Sequence, residues 1–125
     1  MNAGEPGSAA PIERFAARGV ACFSVGYRLT QELPPPQAVP IRRNRAVVHR
    51  GRIDFVRDLL GLPPATHDEL MNGAEAAFAD VTAAFAFLHA QAARFGVDPR
   101  RMGIGGFSAG GFASAYAVFA LGMPA

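Results

Sequence analysis

The amino-acid sequence predicts an α/β fold, in which parallel strands are flanked by helices. Val20–Tyr27 is almost continuously apolar, which is typical of a strand buried on both faces of a parallel sheet. Between Phe78 and Phe95 apolar residues recur at spacings of three and four, as in an amphipathic helix. A second extended run, Met102–Phe107, leads through a glycine-rich turn into an alanine-rich helix. Strands that alternate with helices in this way indicate the α/β class.

The elements predicted before residue 66 follow from local composition. Proline-rich segments are irregular, apolar spacings of three and four indicate helices, and a following glycine ends a helix. In chain order the predictions are a loop at Met1–Pro11, helix Ile12–Arg18 ending at Gly19, strand Val20–Tyr27, the irregular segment Leu33–Pro40, and helix Ile53–Leu60 ending at Gly61.

A capping box predicts where the longest helix begins. Thr66 is followed three residues later by Glu69, so each side chain can accept a hydrogen bond from the backbone amide of the other residue. The helix therefore starts near His67. The features predicted after it are a pause at Asn72–Gly73, a helix end near Phe95 followed by Gly96, strand Met102–Phe107, and helix Gly111–Leu121.

The pentapeptide Gly106–Gly110 is the candidate functional motif. A Gly-x-Ser-x-Gly sequence between a strand and a helix is typical of a nucleophile elbow. The tight turn forces Ser108 toward unfavourable backbone angles, and small residues at Gly106 and Gly110 let the two elements approach. The Ala109 amide then lies at the positive end of a helix, where it can bind an oxyanion. The alternative is a glycine-rich turn whose serine has no function.

Composition excludes several other classes of protein. The 125 residues are 50% hydrophobic and 18% charged, which predicts one globular domain over residues 1–125. There is no lysine, so lysine-dependent phosphate binding and Schiff-base chemistry are excluded. The net charge of +2 does not indicate a nucleic-acid partner, and no apolar run is long enough to span a membrane. The absence of a signal-peptide pattern predicts a cytoplasmic protein.

Histidine and cysteine are the other residue types that could carry chemistry here. The three histidines and the single Cys22 show no metal-ligand spacing, and the sequence predicts neither a metal nor a cofactor. Cys22 is expected to be a small buried apolar residue. The arginine-rich segment from Arg42 to Arg57 is expected to be solvated, with binding of an acidic partner as the alternative.

Three stretches together resemble α/β-hydrolase carboxylesterases of the acetyl-esterase, acetylxylan-esterase and hormone-sensitive-lipase type. They are Phe15–Leu29, which is similar to the "ARGxxVVSVxYRL" strand, the segment from Asp80 to Arg101, which is similar to the helix and "GIDPxRI" turn, and Gly106–Gly111, which is similar to the "GxSAGG" elbow. The resemblance implies that Ser108 is the acylating nucleophile and that the Ala109 N–H is one oxyanion donor. It also implies a small ester as substrate.

The resemblance covers only the central part of such an esterase. Members of the family carry a His-Gly-Gly oxyanion loop before this region and an acid and a histidine after the serine, whereas no Asp, Glu or His follows Ser108 here. The expected architecture is therefore an incomplete α/β-hydrolase fold. Residues 30–79 exceed the usual length of the family and are expected to be an insertion that forms a lid or part of the pocket wall.

Two other functions are open at the level of sequence. One is a catalytically inactive α/β-hydrolase remnant or partner-binding protein, and homo-oligomerisation is open in either case. The other is nucleotide binding, because Gly103–Ser108 nearly matches G-x-G-x-x-G. In that motif, however, Ser108 occupies the third glycine position, and no acidic residue follows at the required distance.

Overall fold

The computed structural model describes residues 9–37 and 50–122, and it is helical. A helix is present at each predicted position, but most ends are shifted, because hydrogen bonding and packing set the boundaries more sharply than sequence periodicity does. The helix predicted to continue to Phe95 is interrupted at Gln91. The α-helices are α1 (Ala9–Ala16), α2 (Arg50–Leu59), α3 (His67–Ala90), α4 (Ala92–Phe95) and α5 (Ala109–Leu121). Short 3₁₀ helices occur at Thr30–Glu32 and Pro99–Arg101. None of the helices in the described ranges is long and apolar enough to cross a membrane.

The predicted α/β class is wrong for the residues that the structure describes. Neither Val20–Tyr27 nor Met102–Phe107 forms a strand, and residues 9–37 and 50–122 contain no sheet. A strand needs a neighbour that accepts and donates backbone hydrogen bonds, and an apolar pattern cannot supply that neighbour. The first run is also not buried on both faces, since Val20 is 49% and Phe23 41% exposed.

The chain divides into two compact units. One consists of residues 28–80, and the other combines residues up to 27 with residues from 81 onward. That residues 30–79 are an insertion relative to the esterase family remains a prediction. Helix α3 contributes its first fourteen residues to the 28–80 unit and the remainder to the other unit.

The 28–80 unit is closed at its two ends by an ion pair. Arg28 binds the Asp80 carboxylate with both Nε and Nη2, at 2.9 and 2.7 Å, and its backbone amide donates to the same carboxylate at 2.9 Å. These hydrogen bonds hold the pKa of Asp80 below its usual value. The contacts therefore join residues that are 52 positions apart in the chain.

Arg57 lies inside the same unit, contrary to the expectation of a solvated arginine-rich segment. Its side chain is 2% exposed, and its guanidinium donates to the Pro63 carbonyl through Nε at 2.9 Å and Nη2 at 2.6 Å. Nη1 reaches the Thr30 carbonyl at 3.4 Å. A buried guanidinium requires such acceptors, and here backbone carbonyls provide them. Arg42, Arg43 and Arg45 lie outside the described residues.

The predicted capping box at the start of α3 is confirmed. The Thr66 amide donates to Glu69 Oε2 at 2.7 Å, and the Glu69 amide donates to Thr66 Oγ1 at 3.2 Å. The predicted pause at Asn72–Gly73 is wrong, because α3 is continuous there. Gly73 instead permits a close approach: a Cβ at this position would lie 2.8 Å from Thr30 Cγ2.

The other unit packs α5 and the end of α3 with the segment after α1. Its buried hydrophobic residues in the described ranges are Val81, Ala92, Ala113 and Ala117. The Phe95 ring makes edge contacts with Phe23 at 5.3 Å and with Phe87 at 6.4 Å between centroids. The predicted end at Gly96 is confirmed, since this residue has φ +67° and its amide donates back to α4.

Candidate active site at the Ser108 turn

The Ser108 turn follows a short capped segment. Asp98 accepts a hydrogen bond from the Arg100 amide at 2.9 Å, and the Arg100 side chain binds the same carboxylate. These hydrogen bonds lower the pKa of Asp98. Pro99–Arg101 then forms one 3₁₀ turn, and the chain leaves it with Met102 in an extended conformation. Residues 102–106 lead from there into the turn.

Ser108 occupies the N-cap position of α5 with an unusual backbone. Its φ is 55° and its ψ is −121°. A positive φ is rare for a residue with a Cβ, and among the described residues only Leu33 shares it outside glycine. The unfavourable angles expected for this serine are therefore present. Such a conformation costs about 1–3 kcal/mol and persists only where neighbouring contacts hold it.

Gly106 is one of the residues that permit this turn. A Cβ on Gly106 would lie 2.3 Å from both the carbonyl carbon and the carbonyl oxygen of Gly110, and 2.8 Å from the Gly111 nitrogen. No side chain can be accommodated at these distances without moving the backbone. A Cβ on Gly110, in contrast, would only make an ordinary contact, 3.6 Å from the Tyr27 hydroxyl oxygen. The expectation that both positions must be small thus has a strict steric reason only at Gly106.

Backbone hydrogen bonds fix the start of α5. The Gly110 amide donates to the Phe107 carbonyl, and the Phe112 amide donates to the Ser108 carbonyl, both at 3.0 Å. The Ser114 hydroxyl donates to the Gly110 carbonyl at 2.7 Å. Ala109 is the first helical residue, and its amide has no acceptor among the described residues. A free amide at the positive end of a helix is suited to bind a negatively charged oxygen.

The tip of the turn is open to solvent. Phe107 is 93% exposed, and Ser108 and Ala109 are exposed as well. The Ser108 hydroxyl makes no hydrogen bond to a described side chain or backbone group. The hydroxyl is thus accessible to a molecule in solution.

The structure does not bring a histidine into hydrogen-bonding contact with Ser108 within the described ranges. His67 begins α3 and His89 lies near its end, and both side chains are exposed. His49 lies outside the described residues. In the same ranges no group of three or more His, Cys, Asp and Glu side chains could hold a metal ion. Cys22 is partly exposed, and its thiol lies 3.6 Å from the Val20 carbonyl.

Tyr27 is the residue near the turn that sequence reasoning missed. It ends the run that was predicted to be a strand, and the structure brings its hydroxyl to Gly110 in the first turn of α5. Burial raises the pKa of Tyr27 above its usual value. The signal in the sequence was only a polar ring at the end of an apolar segment, which does not identify a contact 83 positions away.

Comparison with known families gives a match to the segment that contains this turn. Residues 69–121 match the model of the family BD-FAE, an α/β-hydrolase-like esterase family. The matched segment includes most of α3, all of α4 and α5, and the Ser108 turn, but it is less than half of the 125 residues. At the level of the family, the match supports an esterase-type hydrolase.

Two other comparisons gave no match. A search of curated proteins found no similar sequence, and a search of solved structures found no similar structure.

Proposed function

We propose that the chain is a carboxylic-ester hydrolase and that Ser108 is its acylating nucleophile. The observation that carries the proposal is the backbone of Ser108, which has φ 55° at the start of α5 in a turn that only glycine at position 106 permits. Strained backbone at an exposed polar residue is common at functional sites. The match of residues 69–121 to an esterase family supports the same class of reaction.

The proposed reaction is acyl transfer from a small ester to Ser108 and then to water. The Ser108 Oγ bonds to the carbonyl carbon, and an electron pair of the C=O bond moves to the oxygen. The pair returns, the bond to the alcohol oxygen breaks, and the alcohol leaves with the proton from Oγ. Water repeats these steps on the acyl-serine, which releases the acid and restores the hydroxyl.

The Ala109 amide is proposed as one donor to the oxygen that becomes negative. It is the first amide of α5, so it has no intrahelical acceptor and shares the positive end of the helix dipole. Gly106 and Gly110 do not contact the substrate in this proposal, and Gly106 has the structural role of allowing the turn. No cofactor takes part in the proposed reaction. We also propose an activity of the acetyl-esterase, acetylxylan-esterase or lipase type, which the family match does not specify.

A fluorophosphonate probe tests the assignment of Ser108. We expect the 125-residue chain to be labelled, with the modification mapped to Ser108, and we expect Ser108→Ala to abolish labelling. Ser24→Ala is the matched control, because Ser24 is another exposed serine outside the turn. Equal labelling of the parent and Ser108→Ala, or no labelling of the parent, would contradict the proposal.

A non-enzymatic, partner-binding role is the second candidate. It is favoured by two large aromatic side chains that are almost fully exposed, Phe107 at 93% and Phe119 at 89%. Contiguous exposed apolar patches mark sites where proteins bind partners, and these two side chains are candidates for such a patch. Turnover of p-nitrophenyl acetate distinguishes the two candidate functions. Ester hydrolysis that Ser108→Ala abolishes supports the enzyme, whereas a parent chain that does not hydrolyse the ester supports the binding role.

A further inference from the structure

Tyr27 lies beside the helix turn that carries Ser108. Its hydroxyl oxygen is 3.6 Å from the position that a Cβ on Gly110 would occupy, and Gly110 is two residues after Ser108 in the first turn of α5. Because Gly110 has no side chain, nothing from that residue covers the hydroxyl. The phenol therefore lies beside the first turn of α5, which begins with Ala109.

Within residues 9–37 and 50–122, the Tyr27 hydroxyl has no hydrogen-bond partner that would explain its position. No described residue forms a hydrogen bond with it, although the residue is only partly exposed. A hydroxyl that is not engaged by a described residue is available to donate a hydrogen bond to a ligand. Burial also raises the pKa of Tyr27, which keeps the phenol protonated and able to donate at neutral pH.

We propose that the Tyr27 hydroxyl is a hydrogen-bond donor to the carbonyl oxygen of the ester at Ser108, acting beside the Ala109 amide. This inference rests on the proposed esterase function. When the Ser108 Oγ bonds to the carbonyl carbon, the C=O electron pair moves to the oxygen, and the Tyr27 hydroxyl donates to it without losing its proton. The hydrogen bond is strongest while the oxygen is negative, so it favours the transition state over the bound ester.

Tyr27→Phe removes the donor and keeps the ring. Because the hydroxyl has no partner in the described part of the chain, we expect the melting temperature of the variant to stay close to that of the parent. We expect kcat for p-nitrophenyl acetate to fall by about 10²-fold with little change in KM, as on removal of one oxyanion donor. Tyr116→Phe is the matched control, since Tyr116 is the only other tyrosine and lies within α5.

A thionoester substrate separates hydrogen bonding from a structural role. Sulfur in place of the carbonyl oxygen is a poor hydrogen-bond acceptor, so the donors at the turn should make the parent prefer the ester over the thionoester. We expect this preference in kcat/KM to fall in Tyr27→Phe and to be unchanged in Tyr116→Phe. A loss of rate that leaves the preference unchanged, or an equal loss in both variants, would overturn the inference.

Two further outcomes keep the inference separate from the esterase proposal. If the parent is not labelled by the fluorophosphonate at Ser108, the proposed function fails and the inference fails with it. If Ser108 is labelled and Tyr27→Phe retains the parent kcat, only the inference on Tyr27 fails. If Tyr27→Phe does not fold, 3-fluorotyrosine can be incorporated into the Tyr116→Phe variant, in which Tyr27 is the one remaining tyrosine. An unchanged kcat of this fluorinated protein would also overturn the inference.

Discussion

At the scale of single residues, Ser108 and Gly106 depend on each other. Ser108 adopts φ 55°, and the path that follows brings the Gly110 carbonyl to within 2.3 Å of any Cβ that Gly106 would carry. The hydrogen bond from the Gly110 amide to the Phe107 carbonyl at 3.0 Å closes the turn. The unfavourable backbone of the serine is therefore maintained by contacts of its immediate neighbours.

Gly106→Ala is predicted to destabilise the turn, whereas Gly110→Ala is predicted to be tolerated. The methyl group at position 106 overlaps the Gly110 carbonyl, so the backbone must open, at a cost of about 3 kcal/mol or more in the free energy of unfolding. The methyl group at position 110 meets only an ordinary contact with Tyr27, and alanine favours the helix by up to about 1 kcal/mol. Urea unfolding of both variants measures the difference. Equal stabilities would contradict this account of the turn.

At the scale of elements, side chains fix where helices begin and how distant segments meet. The Thr66–Glu69 capping box defines the start of α3, and it involves only residues three positions apart. The Arg28–Asp80 pair acts over a much longer range, because it links the segment after Tyr27 to the middle of α3. The side chains of Arg28 and Asp80 are 40% and 25% exposed, so solvent screens this pair in part and reduces its contribution to stability.

The Arg28–Asp80 pair predicts a stability that falls in acid. The folded-state pKa of Asp80 is lowered, first by the hydrogen bond from the Arg28 side chain. The unfolded chain therefore binds this proton more readily, and the contribution is fully present above the unfolded-state pKa. It is lost as the pH falls through the lowered folded-state pKa. At neutral pH we expect Asp80→Asn to lower the free energy of unfolding by about 1 kcal/mol, because solvent screens the partly exposed pair.

Urea unfolding as a function of pH checks this prediction. The stability difference between the parent and Asp80→Asn should shrink as the pH is lowered from neutrality through the acidic range. Asp58→Asn is the control, because Asp58 is exposed and forms no ion pair with a described residue. A difference that does not depend on pH, or one that Asp58→Asn reproduces, would argue against the ion pair as its source.

At the scale of the whole molecule, the described chain is a set of helices joined by irregular segments. The apolar runs at Val20–Tyr27 and Met102–Phe107 have no strand partner in residues 9–37 and 50–122. Phe23 packs its ring edge against Phe95 instead, and half of the Val20 surface remains exposed. The buried residues of the two units lie mainly on α3 and α5 and include many alanines, which allow close approach of backbones.

The secondary structure of the molecule is testable by spectroscopy. We expect the infrared amide I band of the 125-residue chain to be dominated by helix and to lack the low-frequency component of a paired sheet. The reason is that this component comes from strands coupled through hydrogen bonds, and the two apolar runs have no such coupling. Far-UV circular dichroism on the same sample provides an independent measure. A strong sheet component would contradict the helical fold.

The candidate site was predictable from sequence to the extent that its interactions are short in range. Gly-x-Ser-x-Gly indicated a turn at Gly106–Gly110 with unfavourable angles at the serine, and the structure has φ 55° there. The roles of Ser108 as nucleophile and of the Ala109 amide as oxyanion donor remain proposals. The position of Tyr27 beside Gly110 could not be predicted, because it depends on how segments far apart in sequence pack.

The sequence by itself determined the local features of this protein: the capping box at Thr66, the left-handed ends at Gly61 and Gly96, and the turn around Ser108. Each of these is set by hydrogen bonds and steric contacts among residues within about five positions. Only the tertiary structure decided whether the apolar runs become strands, since strand pairing needs a partner that is distant in sequence. It also decided whether Arg57 is buried. Burial depends on acceptors such as the Pro63 and Thr30 carbonyls, and only folding brings the Thr30 carbonyl to Arg57.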